Sequence, residues 1–223
     1  LLDIDEMRVA QGALRHGVLY ELLERDDSVA DMRATTVARL ASRFAVDSAQ
    51  ARRVGETAAA LFVQLMPSAQ GASSTHSAGR ALRKLRWAAA LHEIGNHIAH
   101  SDSHKHGAYI LDNVEAPGFA INELHALSQL VLGHRGKLRK IELALDSEVF
   151  TAQLMALRLA VVLCHARRDP DIGTLRLSRA GEQAFALRAG ADWAEQFPQS
   201  AHLLHEEVLA WQKANIQLAL QIA

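Results

Sequence analysis

The sequence holds a single cysteine, Cys164, so no disulfide can form within its 223 residues. Cys164 lies in an apolar stretch and reads as a buried thiol in a reducing, cytoplasmic setting. Proline is scarce, at four residues, and aromatics make up only 5%. A chain poor in breakers and β-branched runs, and rich in Ala and Leu, favours helices packed on helices. No apolar run reaches the roughly 18 residues of a membrane span, and no signal-peptide pattern is visible. Neither sign of charge dominates: the formal net charge is −1. Whole-chain attraction to nucleic acid or to an anionic membrane is therefore not expected. The first residue is Leu1 rather than Met, which reads as a fragment or a processed product.

What is present in excess is histidine. Eight of the twelve lie between His76 and His134, so the excess is local. The apolar spacing predicts helices over Val29–Phe44, over Ser48–Leu65 with Asp47 as its cap, over about Arg80–His100, over Ala108–Asn113, over 121–134 and over Val149–Arg167. Ser101 to Gly107 reads as a polar turn and Pro117-Gly118-Phe119 as another. After Pro170 the pattern changes. Residues Thr174 to Ser178 alternate as a strand does, and Phe185-Ala186-Leu187 would be its hairpin partner across Gly181. Ser200 to Leu220 returns to helix. The expected architecture is mainly α, with a small β-hairpin near the C-terminus.

The informative stretch is Leu91-His92-Glu93-Ile94-Gly95. A His beside an acid on a buried helix is costly unless both are satisfied. A metal ion, a bound phosphate or an ordinary backbone hydrogen bond would each do so. On a continuous helix, His92, Asn96 and His100 would fall on one face, and Glu93 and His97 would form a neighbouring i, i+4 pair. His104, Lys105 and His106 follow in the turn, and His134, Arg135 and Lys137 close the 121–134 helix. Imidazoles and cations converging in this way suit an anionic ligand or a metal. His134, Arg135 and Lys137 are the first candidates for anion contact, and His104, Lys105 and His106 the second. At a helix C-terminus the former can equally serve as cationic caps.

This layout resembles that of HD-domain phosphohydrolases, whose His and Asp residues hold water-activating metal ions. Gln50 stands where the first His ligand is expected, His92-Glu93 where His-Asp is expected, and Val161 where the last Asp belongs. His106-Gly107 and His134 match later His positions. Val161 cannot bind a metal, Gln50 is a poor ligand, and Glu93 is one methylene longer than Asp. The site reads as a degenerate one, with His92, Glu93 and His134 as the remaining candidates for a metal.

A longer resemblance covers nearly the whole chain and weakens after Pro170. Residues Met7 to Tyr20, with Ala13-Leu14-Arg15-His16-Gly17-Val18-Leu19-Tyr20 at their centre, are similar to the segment by which exopolyphosphatases and guanosine pentaphosphate phosphatases leave their second actin-like domain. His16 replaces the usual Glu. Leu91 to Gly95, His104 to Leu111, Pro117 to Phe119 and Gly133 to Lys137 follow in the order and spacing of that family's C-terminal domain. The resemblance implies an HD-like helical bundle over residues 21–223, with a small subdomain from about 170. It implies that 1–20 are the remnant of a joint to an absent actin-like domain, with Arg15 at that joint. No catalytic residue is expected in this fragment, since the family's phosphate loops, magnesium site and catalytic Glu belong to the absent domains. Magnesium is expected for the full-length enzyme, and no cofactor is required by the fragment. The implied role is to help bind polyphosphate, or guanosine pentaphosphate, and to form a homodimer. Two other classes of function remain open: a self-sufficient metal-dependent HD phosphohydrolase, and an interaction module with no ligand.

Overall fold

The computed structural model describes residues 28–67, 76–139, 141, 145, 147–190 and 192–222. The expected joint over residues 1–20, Arg15 included, lies outside them. Among the described residues six α-helices come first: α1 (Ser28–Arg43), α2 (Ser48–Leu65), α3 (His76–Leu91), α4 (Ser103–Asn113), α5 (Ile121–Gly133) and α6 (Glu148–Leu163). Then come β1 (Arg176–Gly181), β2 (Ala184–Ala189), a single-turn α7 (Trp193–Gln196), α8 (Pro198–Gln212) and β3 (Gln217–Ile222). The chain is mainly helical with a small sheet near its C-terminus, as the composition and periodicity predict.

Local chemistry sets the helix ends. Asp47 caps α2, its Oδ1 accepting from the backbone N–H groups of Ala49 and Gln50 at 2.9 and 3.0 Å. Ser147 caps α6 by accepting from Phe150 N–H. Pro198 opens α8, where its missing N–H costs no hydrogen bond. Helix α6 is the centre of the molecule: every residue from Phe150 to Ala160 is buried. It packs against α2, α3 and α5, and the core of Leu61, Phe62, Leu85, Leu91, Leu130 and Leu154 fills the space between them.

The core continues into the sheet through Leu177, Phe185, Leu218 and Trp211. β1 and β2 form the expected antiparallel hairpin, with an irregularity between Arg179 and Gly181. β3 adds parallel to β2 in the order β1-β2-β3. The expected helix Ser200–Leu220 is thus overturned in its last third. Asn215 adopts a left-handed φ of 60° and turns the chain, after which Gln217-Leu218-Ala219-Leu220-Gln221 alternates as a strand. Edge pairing to β2 supplies the hydrogen bonds that a helix would have made internally.

Three further helix boundaries differ, and they shape the site. The helix predicted over Arg80–His100 stops at Leu91, and a single 3₁₀ turn, Ile94–His97, follows. Gly95 explains the break. Its backbone lies so close to the first turn of α4 that a Cβ there would overlap the Ser103 carbonyl and the Gly107 nitrogen. The close approach needs glycine, and a straight helix could not make it. Residues His92, Asn96 and His100 therefore do not form one helical row, and Ile98 is 54% exposed. α4 in turn begins at Ser103, not Ala108, so His104, Lys105 and His106 lie in its first turn and not in a loop. α6 ends at Leu163, short of the predicted Arg167. Arg167 itself has a φ of 55° in the turn that follows.

Candidate functional site

The elbow between α3 and α4 meets the C-terminal end of α5. His92, just past α3, is buried, and its Nδ1 lies 2.7 Å from the Ala89 carbonyl. His134, just past α5, is buried in the same way, with Nδ1 2.6 Å from the Val131 carbonyl. A carbonyl oxygen only accepts, so each Nδ1 carries the proton and each Nε2 presents a lone pair. The two rings meet edge to face with centroids 5.5 Å apart. Burial pushes the His92 imidazole below the ordinary histidine range, against its bond to Ala89 and the nearby Glu93 carboxylate. Burial pushes His134 well below that range, and His92 adds to the effect. Both are neutral at pH 7. His104 comes in from α4, its centroid 6.4 Å from that of His134. Its ring lies against Gly136, where a Cβ would stand 2.9 Å from Nε2. Gly136 has a φ of +78°, so glycine serves both the turn and the close contact.

The charged groups lie around this imidazole cluster. Arg135 and Lys137 are exposed on the turn after α5. Lys105, half-exposed in the first turn of α4, pairs with Asp102 at 2.5 Å. His106 is half-buried beside it. The structure therefore brings the two sequence patches, 104–106 and 134–137, to one place. It also separates their roles. His134 lies beneath as a neutral imidazole, while Arg135 and Lys137 put positive charge on an exposed rim and Lys105 is balanced by Asp102.

Of the four positions likened to HD metal ligands, Gln50 and Glu93 are held by other partners, His92 is bonded through Nδ1 alone, and Val161 has no polar atom to offer. The Gln50 amide donates to the Cys164 carbonyl at 2.9 Å and accepts from Arg53 at 3.2 Å. Glu93 accepts from Arg167 at 3.0 Å, and the other arm of that guanidinium reaches Asp47 at 2.5 Å. Asp47 lies below the usual carboxylate range, first because Gln50 N–H donates to it, with Ala49 N–H and Arg167 adding to this. Val161 is half-buried against the core. A guanidinium thus balances Glu93, and Asp47 serves as a helix cap. Among the described residues, no three His, Cys, Asp or Glu side chains stand together as a metal site.

Sequence reasoning missed Arg158. It sits on α6 with 2% exposure, inside Leu157-Arg158-Leu159. Its Nε and Nη2 make a bidentate pair with Glu207 of α8 at 2.7 and 2.6 Å. Its Nη1 donates to the carbonyls of Gly133 and Gly136 at 2.7 and 3.2 Å. Those carbonyls belong to the end of α5 and the turn beyond it, so Arg158 fixes the segment that carries Arg135 and Lys137. The signal in the sequence was a lone Arg in an apolar run, which a core tolerates only when it is fully paired.

Residues 32–209 match the family model described as "Ppx/GppA phosphatase, domain III". The chain is 35% identical over 216 residues to the guanosine-5'-triphosphate,3'-diphosphate pyrophosphatase of Aeromonas hydrophila, covering 95% of this chain and 42% of that protein. It is 34% identical to the protein of the same name from Pseudoalteromonas translucida, over 92% of this chain and 41% of that one. For the Vibrio cholerae protein the identity is 33%, over 88% and 39%. The chain thus spans about two fifths of the length of the curated relatives it matches. Both the matched model and the order of its motifs place this chain in the Ppx/GppA phosphatase family, at the position of domain III.

Proposed function

We propose that the chain is the C-terminal, HD-like part of a phosphoanhydride hydrolase acting on guanosine pentaphosphate or polyphosphate, and that it helps hold the anionic phosphate chain while other domains carry out the hydrolysis. The observation that carries this reading is the convergence of His104 and Lys105 with the 134–137 turn around buried, neutral imidazoles. Exposed Arg135 and Lys137, with no ion-pair partner among the described residues, are suited to charge-assisted hydrogen bonds to phosphate, each worth about 1.5–3 kcal/mol at best. The names of the similar proteins favour guanosine pentaphosphate as the substrate of the whole enzyme. A homodimer and a cytoplasmic location belong to the same proposal.

Magnesium, expected for the full-length enzyme, does not fit the donors at the degenerate site. That ion takes oxygen ligands in octahedral geometry. Here the donors are neutral imidazoles, one carboxylate held by Arg167 and an amide bonded to a backbone carbonyl. The proposal therefore places magnesium and the attack on phosphorus in residues outside this chain.

The test is phosphate release from long-chain polyphosphate and from guanosine pentaphosphate by the purified chain with magnesium or manganese, beside binding at low and high salt. Salt-sensitive binding without release is expected. Metal-dependent release that disappears in His92→Ala would overturn the proposal in favour of a self-sufficient HD phosphohydrolase.

A further inference from the structure

A second cluster of cations lies away from the histidines, in a cleft of about 230 Å³ between α1, α3, the start of α5 and the first turns of α6. Among the described residues it is lined by Arg33, Arg80, Arg83 and Lys84, with Glu123 as the one carboxylate, so three more positive than negative charges face it. Glu123 is already engaged: it accepts from Arg33 Nη2 at 2.9 Å and from Ala120 N–H at 3.1 Å. Arg33 is fixed as well, with Nε 2.7 Å from the Gly118 carbonyl and its guanidinium 5.7 Å from the centre of the Phe119 ring. Phe119 and Trp87 close one wall edge to face, with centroids 5.2 Å apart. Arg80 and Arg83 are exposed and have no ion-pair partner among the described residues. Lys84 is half-buried, and that burial pushes its ammonium below the ordinary lysine range, only partly opposed by Glu123.

We propose that this cleft binds a short phosphoanhydride chain, supplied either as inorganic oligophosphate or as the phosphate tail of a nucleotide, with Arg80, Arg83 and Lys84 as its contacts and Arg33 as a fixed wall. Three cations in excess among the described residues, in a space of roughly eight water volumes, suit a small, densely charged anion. An oligophosphate carries about one charge per unit, and each N⁺–H···O⁻ contact is stronger than a neutral hydrogen bond. The cleft is distinct from the 134–137 rim. Glu123 lies in the first turn of α5 and His134 just past its end, about 17 Å apart at 1.5 Å per residue.

Trp87 makes the site observable. Tripolyphosphate is titrated into the chain and read by tryptophan fluorescence, with Trp87→Phe identifying the part of the signal that arises here. A saturable change is expected, and the double variant Arg80→Ala, Lys84→Gln should weaken it about tenfold or more, as loss of two charge-assisted contacts requires. Its circular dichroism should match that of the parent chain. The double variant Arg135→Ala, Lys137→Ala, which alters only the rim, should leave the Trp87 signal in place. Failure of rim binding therefore does not touch this proposal, and the reverse also holds. Guanosine triphosphate binding more tightly than tripolyphosphate would identify a nucleotide as the source, and equal affinity would identify the inorganic chain. No saturable Trp87 signal with either ligand, or equal affinity in the folded Arg80→Ala, Lys84→Gln chain, would overturn the assignment.

Discussion

The two sides of the α3–α4 elbow use similar residue types for opposite ends. On the side of α2 and the turn after α6, Arg167 bonds both Asp47 and Glu93, and the Gln50 amide is held by the Cys164 carbonyl and Arg53. On the side of α5, Arg135 and Lys137 stand exposed above buried imidazoles. Polar groups that already hold good partners gain little from a ligand, whereas an exposed cation over a rigid base can gain a phosphate oxygen with little reorganisation. The degenerate metal positions thus form a fixed floor, and under the proposed function binding would fall to the rim.

The largest way to break this contrast is to loosen what holds the rim in place. Arg158→Ala leaves Glu207, only 12% exposed, without its partner and the carbonyls of Gly133 and Gly136 without their donor. Loss of one member of a buried ion pair costs about 3–5 kcal/mol, and chemical denaturation of the variant should show a drop of that order. If the drop is under about 1 kcal/mol, Arg158 does not anchor the turn. Gly95→Ala should come next, at about 3 kcal/mol, because the added methyl meets backbone that can move only by separating α4 from the elbow. The same melts would check it.

Acid provides a smaller, graded test of the imidazole base. The folded-state pKa values of His92 and His134 are depressed from the ordinary value near 6.5. Above pH 6.5 both imidazoles are neutral in the folded and unfolded chain alike, and stability is intact. As the pH falls below 6.5 the unfolded chain takes up protons that the folded chain refuses until lower pH. Stability is therefore lost through that window, by about 1 kcal/mol per pH unit for each imidazole. Denaturation at pH 7, 6 and 5 should show the loss, and His134→Gln should flatten it. A slope unchanged by His134→Gln would mean that His134 is not a buried neutral group.

How much of this was legible in the sequence differs between the same two regions. The Asp47 cap, the hairpin and the cation-rich end of α5 are local features, set by residues close in sequence, and the periodicity finds them. The end of α3 is not local. It depends on Gly95 meeting Ser103 and Gly107, a tertiary contact that overrides a strong helical pattern running on to His100. β3 was hidden for a similar reason, since a short alternating segment becomes a strand only when β2 is there to pair with it. Arg158 was visible as an anomaly, but Glu207 lies 49 residues away in sequence and nothing local pairs them. The closure of Glu93 by Arg167 was equally out of reach, because the turn that brings Arg167 across begins only where α6 stops early.

The smallest expected effect separates floor from rim most cleanly. Arg167 is 51% exposed, and the Glu93 carboxylate that it meets is 19% exposed, so solvent screens much of their attraction. Exposed pairs of this kind contribute about 0–1 kcal/mol. Arg167→Ala should therefore shift the denaturation midpoint only slightly and leave tripolyphosphate binding at the rim within about twofold of the parent chain. Glu93 would then lose its cation while Val161 still offers no ligand and Gln50 stays bonded to Cys164, so titrated manganese or zinc should gain no saturable site there. Should Arg167→Ala instead bind metal tightly and release phosphate from polyphosphate, the guanidinium would be acting as a lock on a competent metal site, and the division between an inert floor and a binding rim would be wrong.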